Sequence, residues 1–401
     1  MRARVIVVMR VYYVRLIGAA LVCVPLLAGA WLSIRMAAAD AAFRLRTSES
    51  VAKAVELTPR NTEYLLTRAL QLDYAGSDST AMLQRAADLN PLSSAPRIRL
   101  GLAAEVRGDP ALAEKWLLAA ARVDRQFEAR WTLANFYYRQ DHVPEFWRWM
   151  RQALRVSYGD RTPAFDLCWR ASTDPTEILD RAIPDEHGVV AAYLGYLLAG
   201  AASEPNKMAA VGPVALKLTA MGEGNDRPAL FAACDALINA GNAEAARALW
   251  RAMGFPKLDG VVHPDFEVPQ VGHGFDWRMT EVPGIVQTDL DQPRAMHRVA
   301  LNSRQPQSCE LLRQVLSLEP QTAYTLHWEA RTNGIGSPTG IEWRISGASA
   351  AIPAGSEAAS GELDFTAASD LVPLSLNYDR PPGEPRAEGS VELWHVRVER
   401  R

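Results

Sequence analysis

Apolar and polar positions follow three different patterns along this chain. From Leu16 to Ile34 no residue is charged. As a helix that run is about 28 Å long, close to the thickness of a bilayer core. From about Ala37 to Phe255 apolar residues recur at helical spacing, as in Leu65, Leu66, Ala69, Leu70 and Leu72, or Leu112, Trp116, Leu117 and Ala120. Beyond Lys257 the period drops to two, and Pro and Gly become frequent. Tyr324, Leu326, Trp328 and Ala330 alternate with polar neighbours, as do Ile341, Trp343 and Ile345, then Leu374, Leu376 and Tyr378, and Val299 with Leu301. Strands of that kind bury one face. The pattern predicts a cytoplasmic tail and membrane anchor over 1–36, a helical repeat domain over 37–256, and an antiparallel β-sandwich over 257–401. The fold class is therefore multidomain α plus β.

The helical region repeats itself. Segments ending at Pro59, Pro91, Arg125 and Tyr158 share an Ala-rich close, spaced by about a tetratricopeptide period of 34 residues. One unit carries Leu100-Gly101, Gly108-Asp109, Ala113-Glu114, Leu117 and Ala120-Ala121. It resembles a tetratricopeptide repeat, in which small residues let paired helices approach and a Gly-Asp turn joins them. Gly108 is placed to end one helix, Asp109 to cap the next, and Pro110 to open it. Ala240 to Ala246 reads as another such turn. The next unit departs from the pattern, with Asp141-His142-Val143-Pro144 at the turn and an aromatic run from Trp131 to Trp149. Repeats of this family stack into a solenoid whose groove binds protein partners. The resemblance implies a protein-binding groove, for which Trp131, Tyr137, Tyr138 and Trp147 are the candidates. The alternative for these aromatics is packing between helices.

The C-terminal region resembles the jelly-roll carbohydrate-binding modules, a galactose-binding-like fold. Pro264-Asp265-Phe266-Glu267 is similar to the family's first strand, and Phe275 to Arg278 to the segment that follows. Leu312 to Leu326 matches a strand, Pro-containing turn and strand, and Gly389 to Val398 the last strand. Members often hold a structural calcium beside a terminal acidic pair. Here Trp394-His395 stands at that position, so no metal and no cofactor is expected. The resemblance implies a ligand site of planar polar side chains on one sheet face: Arg298, His327, Glu329, Arg331, Glu342, Arg344, Asn377 and Asp379. The same mixed charges also describe a solvated face held by cross-strand pairs. By alternation Trp328 and Trp343 belong to the core, while Trp277 and Trp394 remain candidate sugar platforms.

Composition narrows the function. Lys+Arg total 43 against 46 for Asp+Glu, a net charge of −3, which leaves no basic excess to bind a nucleic acid. Arg2, Arg4, Arg10 and Arg15 precede the apolar run, which orients the tail inward and sends the bulk of the chain across, into the periplasm if the membrane is a bacterial inner membrane. Ala28-Gly29-Ala30 and Ala37-Ala38-Ala39 would suit cleavage of a signal peptide, but the run is longer than a signal core, which favours a retained anchor. The four cysteines form no Cys-x-x-Cys pair and read as free thiols. No Gly-x-Ser-x-Gly elbow or phosphate loop is present, and His263, Asp265, His273 and Asp276 lie in a Pro/Gly-rich loop without ligand spacing. The expectation is a single-pass, non-catalytic scaffold with partners in the repeat groove, connected with cell-surface polysaccharide assembly or export. A glycan-binding module on a helical spacer is the alternative.

Overall fold

A computed structural model describes residues 2–222, 225–292 and 294–401; the side chains of Arg2, Arg4, Arg10 and Arg15 lie outside the described residues. The chain forms two compact units, 1–159 and 160–401.

The first unit consists of helices packed as consecutive antiparallel pairs. They are α1 (Arg2–Arg44), α2 (Ser48–Leu57), α3 (Thr62–Tyr74), α4 (Thr80–Leu89), α5 (Ala95–Val106), α6 (Pro110–Val123), α7 (Phe127–Arg139) and α8 (Val143–Arg155). The second helix of each pair stops two or three residues before the ends read from the sequence. Gly108 adopts φ +80°, and the Asp109 carboxylate accepts the Leu112 amide at 3.0 Å. In the departing unit Asp141 takes the same left-handed conformation at φ 57°. Gly101 is required by packing, because a Cβ there would lie 2.6 Å from Leu117 Cγ.

The apolar run, long and apolar enough to cross a membrane, and the first repeat share one helix. The apolar stretch from Ile17 is unburied, whereas Ala39 and Phe43 pack with Val51, Ala54 and Tyr64. The Tyr64 hydroxyl donates to Asp40 at 2.5 Å. Burial, followed by that hydrogen bond and the charge of Asp40, pushes the Tyr64 phenol up to about 12.

The second unit opens with α9 (Thr162–Ala171), α10 (Pro175–Arg181), α11 (His187–Gly200), α12 (Pro205–Met221), α13 (Arg227–Asn239) and α14 (Ala243–Ala252). The turn between the last two repeats the tetratricopeptide device: Gly241 has φ +74° and Asn242 accepts the Ala245 amide at 3.2 Å. Among the described residues ten strands follow: β1 (Arg278–Met279), β2 (Ile285–Leu290), β3 (Met296–Asn302), β4 (Ser308–Ser317), β5 (Ala323–Asn333), β6 (Ile341–Ile345), β7 (Ala348–Ala351), β8 (Ala359–Thr366), β9 (Leu371–Asp379) and β10 (Glu388–Arg400). They make two five-stranded antiparallel sheets, ordered β1-β4-β9-β6-β7 and β2-β3-β10-β5-β8. The inner faces form one core that includes Trp328 and Trp343, as the alternation requires.

One expected strand is absent. Pro264–Glu267 is irregular because His263 and Phe266 hold left-handed φ values of 51° and 56°. The Pro264 carbonyl instead accepts the Val396 amide at 2.9 Å. It thereby satisfies the edge of β10 past the point where β3 stops pairing with it.

Helices and sandwich in this unit are joined through Asp235 on α13. Its carboxylate accepts the Gly274 amide at 2.7 Å and Arg278 at 2.6 Å, and lies 2.8 Å from His273 Nδ1. Beside it Trp250 stacks on Phe255 at 4.0 Å and meets Phe275 edge-on. Gly274 sits at φ +61° where a Cβ would be 2.5 Å from the Trp250 ring, so no other residue fits without a shift.

Candidate functional site

The eight polar candidates do not share a face. Arg298, His327, Glu329 and Arg331 are on β3 and β5 of one sheet; Glu342, Arg344, Asn377 and Asp379 are on β6 and β9 of the other. Each group projects from the outer side of its own sheet, because the inner sides are filled by the shared core.

On the first of these faces the charges neutralise one another. Register places Arg298, Glu392 and Arg331 in one row across β3, β10 and β5. Glu392 is 1% exposed and takes Arg298 on one oxygen at 2.7 Å and Arg331 Nε on the other at 2.5 Å. Arg331 also lies over the Trp394 ring at 5.2 Å, so that indole is covered and offers no open platform. His327 is 3.2 Å from Glu362 and 3.7 Å from Glu399, and Arg294 reaches Glu329 at 2.9 Å. The sequence reading passed over Glu392; its place opposite two arginines depends on strand pairing between residues some 60 to 90 positions apart. The other candidate platform, Trp277, is fully buried, with its indole N–H donated to the His263 carbonyl at 3.2 Å.

The second face is similar. Arg344 Nε donates to Glu342 at 2.6 Å, and the same guanidinium pairs with Asp379. The hydrogen bond to Glu342, with a further one to Asp379, outweighs burial and raises Arg344 above the usual guanidinium value. Asn377 donates to Ser375 Oγ at 2.7 Å. A saccharide on either face would have to displace existing ion pairs, each worth about 0–1 kcal/mol where solvent-exposed.

A cavity of about 620 Å³ opens instead at the loop end of the sandwich. The β5–β6 loop supplies its floor with Gly334, Ile335 and the Ser337-Pro338 turn, and the β9–β10 loop supplies Arg380, Glu384 and Arg386, with Glu388 at the start of β10. Ser303 and Gln307 of the β3–β4 loop complete it. Two hydrogen bonds between loops preform the cleft: the Arg380 amide donates to the Gln307 carbonyl at 2.7 Å, and the Gln305 side-chain Nε2 to the Ala387 carbonyl at 2.7 Å. Among the described residues these four charged side chains form no ion pair, in contrast with both sheet faces. The volume lies within the range that encloses small ligands. The alternation along the strands does not mark this cavity, which needs three loops brought together by the sheet order.

Among the groove candidates, Tyr137 and Trp147 are buried and therefore belong to the packing of α7 and α8. This corrects their assignment to a binding surface. Tyr137 donates its hydroxyl to Glu114 at 2.6 Å, and Trp147 packs at a tilt against Phe146, ring centroids 4.6 Å apart. Burial, then the bond to Glu114, raises the Tyr137 phenol far above its ordinary value. Trp131 is half-buried against Phe127, and Tyr138 is exposed. A cavity of about 520 Å³ lies elsewhere in this unit, where the α3–α4 turn faces α5. Asp73, Ser77, Asp78, Arg99, Leu102 and Val106 border it. Val106 is 88% exposed, and Tyr74, adjacent to Asp73 in the chain, is 92% exposed.

The loop containing His263 and Asp276 is a structural joint. Buried Asp276 accepts the amides of Val271 and Trp277 at 2.7 and 2.9 Å and lies 2.9 Å from His263 Nδ1. Asp265 pairs with His395 on β10. Among the described residues no three His, Cys, Asp or Glu side chains are gathered to hold a metal ion.

No family model matches the chain, and no curated protein matches it. Among solved structures it is similar to one titled "CBM4 structure and function", at 12% identity over 35% of this chain and 99% of that one, with a TM-score of 0.28. The CBM22-1 xylan-binding domain from Paenibacillus barcinonensis is similar at 10% identity over 35% of this chain and 94% of that one, with a TM-score of 0.25. The C-terminal part of a TPR repeat-containing protein from Cytophaga hutchinsonii is similar at 18% identity, covering 54% of this chain and 93% of that one, with a TM-score of 0.29.

Proposed function

We propose that this chain is a single-pass, non-catalytic adaptor on the outer face of a bacterial inner membrane, whose helical repeats hold a protein partner and whose sandwich takes a saccharide. The observation that carries the reading is the α3–α5 cavity, bordered by Leu102 and by Val106, whose side chain stands almost wholly in water. Exposed apolar surface that borders a concavity marks an interaction site in a soluble domain. A connection with cell-surface polysaccharide assembly or export follows from combining the two kinds of module on one anchor.

The test is a photoreactive residue at Val106 in the full chain, expressed in its own cells. One protein should be trapped in stoichiometric amount, and Leu102→Asp should abolish its capture. Persistence of the adduct in Leu102→Asp would refute the groove.

The saccharide reading is supported by the loop-end cavity, where unpaired guanidinium and carboxylate groups can meet hydroxyl groups without first breaking ion pairs. Calorimetry of the full chain against bacterial surface polysaccharides should show binding that Arg386→Ala weakens about tenfold or more, the loss of one charge-assisted hydrogen bond. Binding unaffected by Arg386→Ala, but lost on Arg331→Ala, would move the site to the sheet face.

A further inference from the structure

The join between α1 and the first repeat fixes the position of one surface turn. Leu16–Ile34 fills the hydrocarbon core, so Arg35 marks its edge. Trp31 precedes it by one helical turn, with Arg35 over the indole ring at 5.0 Å, as suits an amphipathic ring and a cation at the headgroup level. The helix does not break there: it continues to Arg44. α2 then runs back along it. Arg35 Nε donates to the Leu57 carbonyl at 2.5 Å, and Arg35 Nη2 approaches the Glu56 carbonyl at 3.5 Å. The guanidinium therefore caps the C-terminus of α2, whose last carbonyls carry partial negative charge. The lengths agree independently, since α2 has 10 residues and descends about as far as α1 rises from Arg35 to Arg44. Phe43, Val51 and Tyr64 lock the pair laterally.

From this geometry we infer that the α2–α3 turn, Thr58 to Asn61 with the exposed Arg60, rests in the headgroup layer of the bilayer. The contact surface is a phospholipid interface, and the first repeat stands upright on it instead of swinging on a linker. The α3–α4 turn with Tyr74 lies at the far end of α3 and faces water. This inference rests on α1 being a retained anchor.

The test uses the full chain in phosphatidylcholine vesicles, with Cys23→Ser and Cys309→Ser, leaving Cys168 and Cys234 in the core. Nitroxide labels are placed at Arg60→Cys and, separately, at Tyr74→Cys. Collisional relaxation by oxygen and by a water-soluble nickel chelate reports depth. The label at 60 should lose nickel accessibility and gain oxygen accessibility, and the label at 74 should read as fully aqueous. Ala37→Pro, which breaks the helix between span and repeat, should return the label at 60 to aqueous values while the protein stays in the vesicles. A label at 60 as aqueous as that at 74 in vesicle-bound protein overturns the inference. So does a reading at 60 that Ala37→Pro leaves unchanged. Protein that does not associate with vesicles at all refutes the anchor itself, a separate and recognisable failure.

Discussion

Replacing Asp235 with Ala should loosen the sandwich from α13 and α14. The carboxylate satisfies the Gly274 amide and the Arg278 guanidinium, both partly buried, and its contact with His273 is more exposed. A hydrogen bond to a charged group contributes about 1.5–3 kcal/mol when little exposed. Arg278 is 22% exposed, so the lower end applies to it, and the His273 contact adds little. The expected loss is about 3 kcal/mol. Two measurements check it: the urea midpoint of the 160–401 unit within the full chain, and amide exchange of the peptide containing Gly274. The midpoint should fall, and the Gly274 amide should lose protection before the core strands β5 and β10 do. Asp235→Asn retains an acceptor for the amide and should cost about half as much. An unchanged midpoint with full Gly274 protection in Asp235→Ala would show that the aromatic packing around Trp250 holds the joint alone, and the reasoning would be wrong.

Gly101→Ala should destabilise the first unit by about 1–3 kcal/mol, since the new methyl overlaps Leu117; equilibrium denaturation of that unit reads the loss, and a neutral result would mean that α5 and α6 separate freely. The pH dependence of the first helix pair should be alkaline. Tyr64 has a raised folded value, so its contribution is complete below pH 10 and is lost as pH rises toward about 12. Tyr64→Phe should flatten that profile in a circular-dichroism titration while costing about 1 kcal/mol at neutral pH, from the lost bond to Asp40.

Local signals in the chain were enough for most of the elements and their inward faces, the strand expected at Pro264 to Glu267 excepted. Pro59 and Pro91 cannot continue a helix, Gly108 accepts φ +80°, and alternation around Trp328 and Trp343 leaves only one face apolar. These are short-range constraints, carried by residues a few positions apart. Surfaces were another matter. Strand order places Glu392 between Arg298 and Arg331 and puts Glu342 and Arg344 on a different sheet, and nothing in the period of a strand encodes which strand lies beside it. Aromatic residues on α7 and α8 look alike in sequence, yet the partner helix buries Tyr137 and Trp147 and leaves Tyr138 exposed. Likewise, the loop-end cavity exists only because three connections distant in sequence emerge at one end of the sandwich. Periodicity tells a side chain which way to face relative to its own backbone; what stands opposite it is set by long-range pairing, and binding surfaces are made of those pairings.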